Sequence, residues 1–87
     1  MKLKREFEIV QLGGQTVAVP VSGDNRMSFV LEINGTAEFI FKNLTEEITE
    51  DELIEKCLKE YDMPKEEISS AVKAFIETLK SNEFNIL

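Results

Sequence analysis

Eighty-seven residues, 43% apolar and 31% charged, are enough for one compact core but too few for two, and the composition is that of a folded chain. One cysteine and no histidine exclude an internal disulfide and remove the commonest zinc ligand sets. The net charge of -7 disfavours nucleic acid and anionic membranes as partners. That charge is uneven: as far as Ala37 basic and acidic residues balance, whereas the rest of the chain is strongly acidic.

The opening MKLKREF is basic but runs straight into an alternating strand, and no apolar run approaches the roughly 18 residues of a membrane span. The chain therefore reads as soluble, cytoplasmic and a single domain over residues 1–87. Residues 7–12 and 16–21 are β-rich runs separated by Gly13-Gly14-Gln15, where paired glycines supply the positive φ of a tight hairpin. Val17, Val19 and Val21 share a face of the second strand, and Pro20, lacking an amide hydrogen, predicts fraying after Val19.

A turn-rich SGDN loop leads to a third strand over 27–33. Phe29, Leu31 and Ile33 fall on one face, and Ser28, Val30 and Glu32 on the other. Strands pairing in chain order would leave this one at an edge. Natural edges are blunted by lysine, proline or a bulge, yet this one carries Met27, Phe29, Val30, Leu31 and Ile33. Either the third helix covers Val30 or something outside the chain does.

Asn34 or Thr36 can cap a first helix with Ala37, Ile40, Phe41 and Leu44 as its stripe; Phe39 lies off it. Thr49-Glu50-Asp51-Glu52 is a capping box opening a second helix, whose apolar face is Leu53, Ile54, Cys57, Leu58 and Tyr61. Glu52 with Lys56 and Glu55 with Lys59 stand at i,i+4. Pro64 takes the first position of a third helix over 65–81, with Ile68, Ala71, Val72, Phe75, Ile76 and Leu79 along one side. Together these elements predict an α+β domain: a three-stranded antiparallel sheet followed by three helices, winged-helix-like in arrangement.

Nothing in this pattern is catalytic. Cys57 has no histidine to activate it and sits in an apolar stripe. The acidic runs 46–47 and 50–52 read as helix-start carboxylates opposing the macrodipole, and neither a calcium loop nor a phosphate loop has its spacing here. No metal or cofactor is expected, and a carrier role lacks a serine at a helix start.

The order of a Gly-Gly hairpin, the strand VAVPV, the junction LEINGTAEFIFKNL and the segment TEDELIEKCLKEYDMPKEEISSAVKAFIETLKSNEF resembles the PqqD-like family over nearly the whole chain. Members resemble pyrroloquinoline quinone synthesis protein D, the peptide-recognition element of pathways that modify ribosomally made peptides. Ile33, where leucine is common, and Gly35, which should weaken the helix start, depart from the family pattern. The resemblance implies a non-catalytic adaptor that binds the leader segment of a precursor peptide as an added strand on the third strand and presents it to a modifying enzyme. That enzyme would be a radical S-adenosylmethionine maturase or another modifying enzyme. The implied site is Met27, Ser28, Phe29, Val30, Leu31 and Glu32, with a cleft wall from Ile68, Val72 and Phe75 of the third helix. Two other readings are a winged-helix DNA regulator, opposed by the mixed charge of the third helix, and a homodimer joined edge to edge through the third strand rather than a monomer.

Overall fold

In the computed structural model, which describes residues 1–21, 30–33, 35–81 and 84–87, the chain runs β1 (Phe7–Leu12), β2 (Gln15–Pro20), β3 (Leu31–Glu32), α1 (Thr36–Asn43), α2 (Glu50–Glu60) and α3 (Lys65–Lys80). The three strands form one antiparallel sheet in the order β1-β2-β3, with the helices following. This is the α+β arrangement the sequence predicts.

β1 and β2 are joined by Gly13 and Gly14 alone, at φ 55° and 84°, so Leu12 pairs directly with Gln15. Positive φ at both turn positions is the geometry that matches the twist of a two-residue hairpin, and glycine adopts it without steric cost. Six consecutive residue pairs then run without a bulge to Phe7 opposite Pro20. The ladder does not fray after Val19: the Val21 amide donates to the Glu6 carbonyl at 3.2 Å. The reason lies in the alternation of antiparallel bonding. Residues 21 and 6 are a bonded pair, so Pro20 turns its nitrogen away from β1, and its missing donor costs that ladder nothing.

On the other side of β2, Ala18 pairs with Leu31 and Val17 with Glu32, and the Ile33 amide donates to the Thr16 carbonyl at 2.9 Å. Ala18, Leu31 and Ile33 are buried beneath the helices with Ile40, Phe41 and Leu44 of the first helical segment, Leu53, Ile54 and Cys57 of α2, and Ile68, Val72, Ile76 and Leu79 of α3. The recurrence at three and four residues along each helix is what brings these side chains onto one stripe. Phe7 reaches the same core, its ring edge-on to Phe41 with centroids 5.2 Å apart.

The entry to α1 differs from expectation. No side chain caps it; Thr36 is already helical, and the N-cap is Gly35 at φ 60°, ψ -126°, whose carbonyl accepts from the Glu38 amide. Asn34 lies outside the described residues. Rather than weakening the start, Gly35 supplies the one backbone conformation that swings the chain from sheet to helix within three residues. α2 opens as predicted: Glu52 N–H donates to Thr49 Oγ1 at 3.1 Å, and Thr49 N–H donates to Glu52 Oε1 at 3.0 Å. With Glu52 held in the box, Lys56 reaches Asn43 Oδ1 at 3.4 Å, and an i,i+4 ion pair closes between Glu38 and Lys42 at 3.4 Å. Pro64 is the N-cap of α3, just before the helix rather than its first residue.

Both ends of the chain are tied to the helical layer. Leu3 N–H donates to Leu44 O, Lys4 N–H to Ile86 O and Ile86 N–H to Leu79 O, each at 2.9 Å. Leu3, Ile48 and Ile86 close the core there. The Met1 ammonium contacts the Glu47 carboxylate and donates to the Ile48 carbonyl.

Two substitutions test these junctions by chemical denaturation. Gly35→Ala should destabilise by about 1–3 kcal/mol although a methyl group meets open space, because the cost is in the backbone. Thr49→Ala should cost about 1 kcal/mol. The Glu52 carboxyl is held below its usual range, chiefly by accepting from the Thr49 amide and then from its hydroxyl. The box therefore contributes fully above the ordinary carboxylate pKa and is lost as pH falls through the lowered one, so the penalty of Thr49→Ala should shrink in acid.

Candidate functional site

Which groups of β3 are offered outward follows from the register. Leu31 and Ile33 turn their backbones toward β2 and their side chains into the core, 6% and 0% exposed. By alternation, Val30 turns its backbone away from β2 and its side chain away from the helices. Its side chain is 58% exposed, so no helix covers it. Glu32 is likewise exposed and shares that outer face.

Between α1 and α3 lies an open groove of about 320 Å³ lined by Thr36, Ala37, Ile40, Ala71, Ala74, Phe75 and Thr78. The α3 contributors step at three and four residues, and two of them are alanines. Small side chains there leave space that longer ones would fill. The Thr78 hydroxyl is spent on the Ala74 carbonyl at 3.1 Å, so the α3 wall offers methyl groups and the Phe75 ring. Thr36, one of the lining residues, follows Glu32 by four residues, so groove and strand are close along the chain.

The sequence-predicted residues divide accordingly. Met27, Ser28 and Phe29 lie outside the described residues. Leu31 is an anchor in the core, whereas Val30 and Glu32 face outward. Ile68 and Val72, expected on the cleft wall, have no exposed surface and belong to the core; Phe75, half-buried, does line the groove. Thr36, Ala37, Ala71, Ala74 and Thr78 were not anticipated. The signal that could have found them is the pair of alanines in step with Phe75 and Thr78.

The remaining chemistry is inert. Cys57 is fully buried, and that burial raises its thiol pKa, which keeps it protonated and unreactive. Glu47 is lowered by the Met1 ammonium, first by the hydrogen bond and then by its charge. Among the described residues no group of three or more potential ligand side chains could hold a metal, and no helix is long and apolar enough to cross a membrane.

A strand with an outward backbone and an apolar groove between two helices are the features against which the family comparison can be set. The description "Coenzyme PQQ synthesis protein D (PqqD)" matches residues 15–84. The chain belongs to this family. Neither curated proteins nor solved structures gave a significant match. The matched span takes in β2, β3 and all three helices, and with them every residue of the groove. Proteins of the family are accessory and non-catalytic, which places the chain in coenzyme PQQ synthesis or a related pathway of modified peptides.

The inertness of Cys57 can be measured. In the native protein it should react with a thiol reagent such as Ellman's at least about a hundredfold more slowly than in denaturant, the factor expected if exposure requires an opening of several kcal/mol. Rapid labelling of the folded chain would contradict its burial.

Proposed function

We propose that this protein is a non-catalytic adaptor that binds the leader segment of a ribosomally made precursor peptide and presents it to a modifying enzyme, a radical S-adenosylmethionine maturase or another maturase. The leader adds as a strand along the open edge of β3, and one of its apolar side chains enters the groove between α1 and α3. The observation that carries this reading is Val30: its backbone is turned away from β2 and its side chain is exposed, while Leu31 and Ile33 on either side of Glu32 hold the strand in the core. Strand addition of this kind draws affinity from main-chain bonds and selectivity from pockets beside the strand. Phe75, Ala71 and Ala74 supply such a pocket, and it favours an apolar side chain because its α3 wall carries no charge and the one hydroxyl donor there, Thr78, is already committed to the Ala74 carbonyl.

The partner is consistent with the electrostatics. A net charge of -7, carried mostly by the helical half, suits a neutral or basic leader better than an acidic one.

The test uses a precursor peptide encoded beside the gene, titrated into isotope-labelled protein. The backbone amides of Val30 to Glu32 should shift first. Val30→Pro removes the outward donor while leaving the β2 ladder intact, and it should weaken binding roughly fivefold more than Val30→Ala, the worth of one net hydrogen bond. Equal losses from the two substitutions, at matched stability, would assign the affinity to side chains instead. Binding that leaves these amides unmoved would refute the proposal.

A further inference from the structure

The sheet has a second edge, six residues long among the described residues. β1 is the outer neighbour of β2, and the bond between Val21 and Glu6 sets its alternation: even-numbered residues bond to β2 and odd-numbered ones face out. Ile9 and Gln11 thus present their amides and carbonyls at the open edge. The usual defences are missing. The strand has no lysine, no proline and no bulge, and its one charged residue is Glu8. Gln11 does not shield the edge either, since its side-chain amide donates to Thr16 Oγ1 at 2.9 Å, back across the hairpin. Ile9 and Leu12 are exposed, Leu12 by 54%.

We propose that β1 is a dimerisation edge, pairing antiparallel with β1 of a second copy of this chain about a two-fold axis at Val10. The strand's own sequence selects this partner and register. An axis at Glu8 would set the two Glu8 carboxylates face to face, one at Ile9 would place them on a diagonal within reach of each other, and one at Gln11 would run the pairing into the Gly13-Gly14 turn and leave only residues 10–12 paired with strand. The axis at Val10 opposes Glu8 with Leu12, Ile9 with Gln11 and Val10 with itself, so no like charges meet. It also continues a row already built on the face away from the helices. Val10 stands opposite Val17, which is 4% exposed, and Val17 stands opposite Glu32. In the dimer this row runs unbroken through four valines across six strands.

Four main-chain bonds from Ile9 and Gln11 and a small apolar row make an interface below the size of stable ones, so association is weak and rises with concentration. The β3 edges lie at the two outer ends of the joined sheet. Dimerisation therefore leaves the proposed peptide site free on both protomers, and either proposal can fail without the other.

Cysteine cross-linking of the full chain tests the register. Opposed Val10 residues would be a non-bonded pair with Cα atoms about 4.5 Å apart, inside disulfide range, whereas the two Leu12 positions would be separated by roughly 13 Å along the strands. Under mild oxidation Val10→Cys should form a covalent dimer at least about tenfold faster than the more exposed Leu12→Cys, a ratio that random collision would reverse. Adding Ile9→Pro, which removes an outward donor from each copy, should slow the Val10→Cys reaction roughly tenfold. Should that variant unfold, the comparison of Val10 with Leu12 decides alone. Equal or faster cross-linking at Leu12, or no cross-link at Val10 in concentrated protein, would overturn the proposal.

Discussion

The bond from the Ile33 amide to the Thr16 carbonyl, followed two residues later by Gly35 at positive φ, is the constraint on which the rest of the molecule depends. It ends the sheet and begins the helical layer with three residues between them. Because Ile33 is wholly buried and bonded to the central strand, its direction is set, and the turn at Gly35 then places Ile40 and Phe41 back over Ala18 and Leu31. A methyl group at Gly35 would still meet open space, so what the position demands is a backbone angle and not room for a Cβ. The α1 side of the groove, Thr36, Ala37 and Ile40, is a direct consequence of that exit angle.

The same alternation governs both edges of the sheet. Bonds committed to β2 at Leu31 and Ile33 release Val30 outward on one side, and the bond from Val21 to Glu6 releases Ile9 and Gln11 on the other. Pro20 survives within a paired strand by the same rule. The protein's reactive potential thus resides in its main chain. Its thiol is buried, and two of its carboxylates are engaged locally, Glu52 with the N-cap of α2 and Glu47 with the Met1 ammonium.

Much of this was legible in the residues. The paired glycines, the capping box at Thr49 and the three apolar stripes are local signals, readable because turn angles, first-turn amides and helical periodicity depend on near neighbours. The family resemblance rested on the order of those signals, and the match over residues 15–84 bears it out. Other features were misjudged for a shared reason. Gly35 looked like a weak helix former and proved to be the turn; the strand was expected to fray after Val19, yet Pro20, its last residue, is still paired with Phe7. Propensity describes a residue alone, whereas each of these positions is decided by which partner its backbone faces.

The sequence by itself therefore determined the elements, their order and the apolar stripe of each helix, since all of these follow from short-range spacing. Only the tertiary structure decided that Ile68 and Val72 are core while Phe75, Ala71 and Ala74 open onto a groove, and that Val30 faces away from the helices. A stripe of apolar residues spans more of a helix than a single neighbour can cover. Which flank is left over depends on the rotation imposed by packing against α1 and α2, and periodicity along one helix carries no information about that rotation.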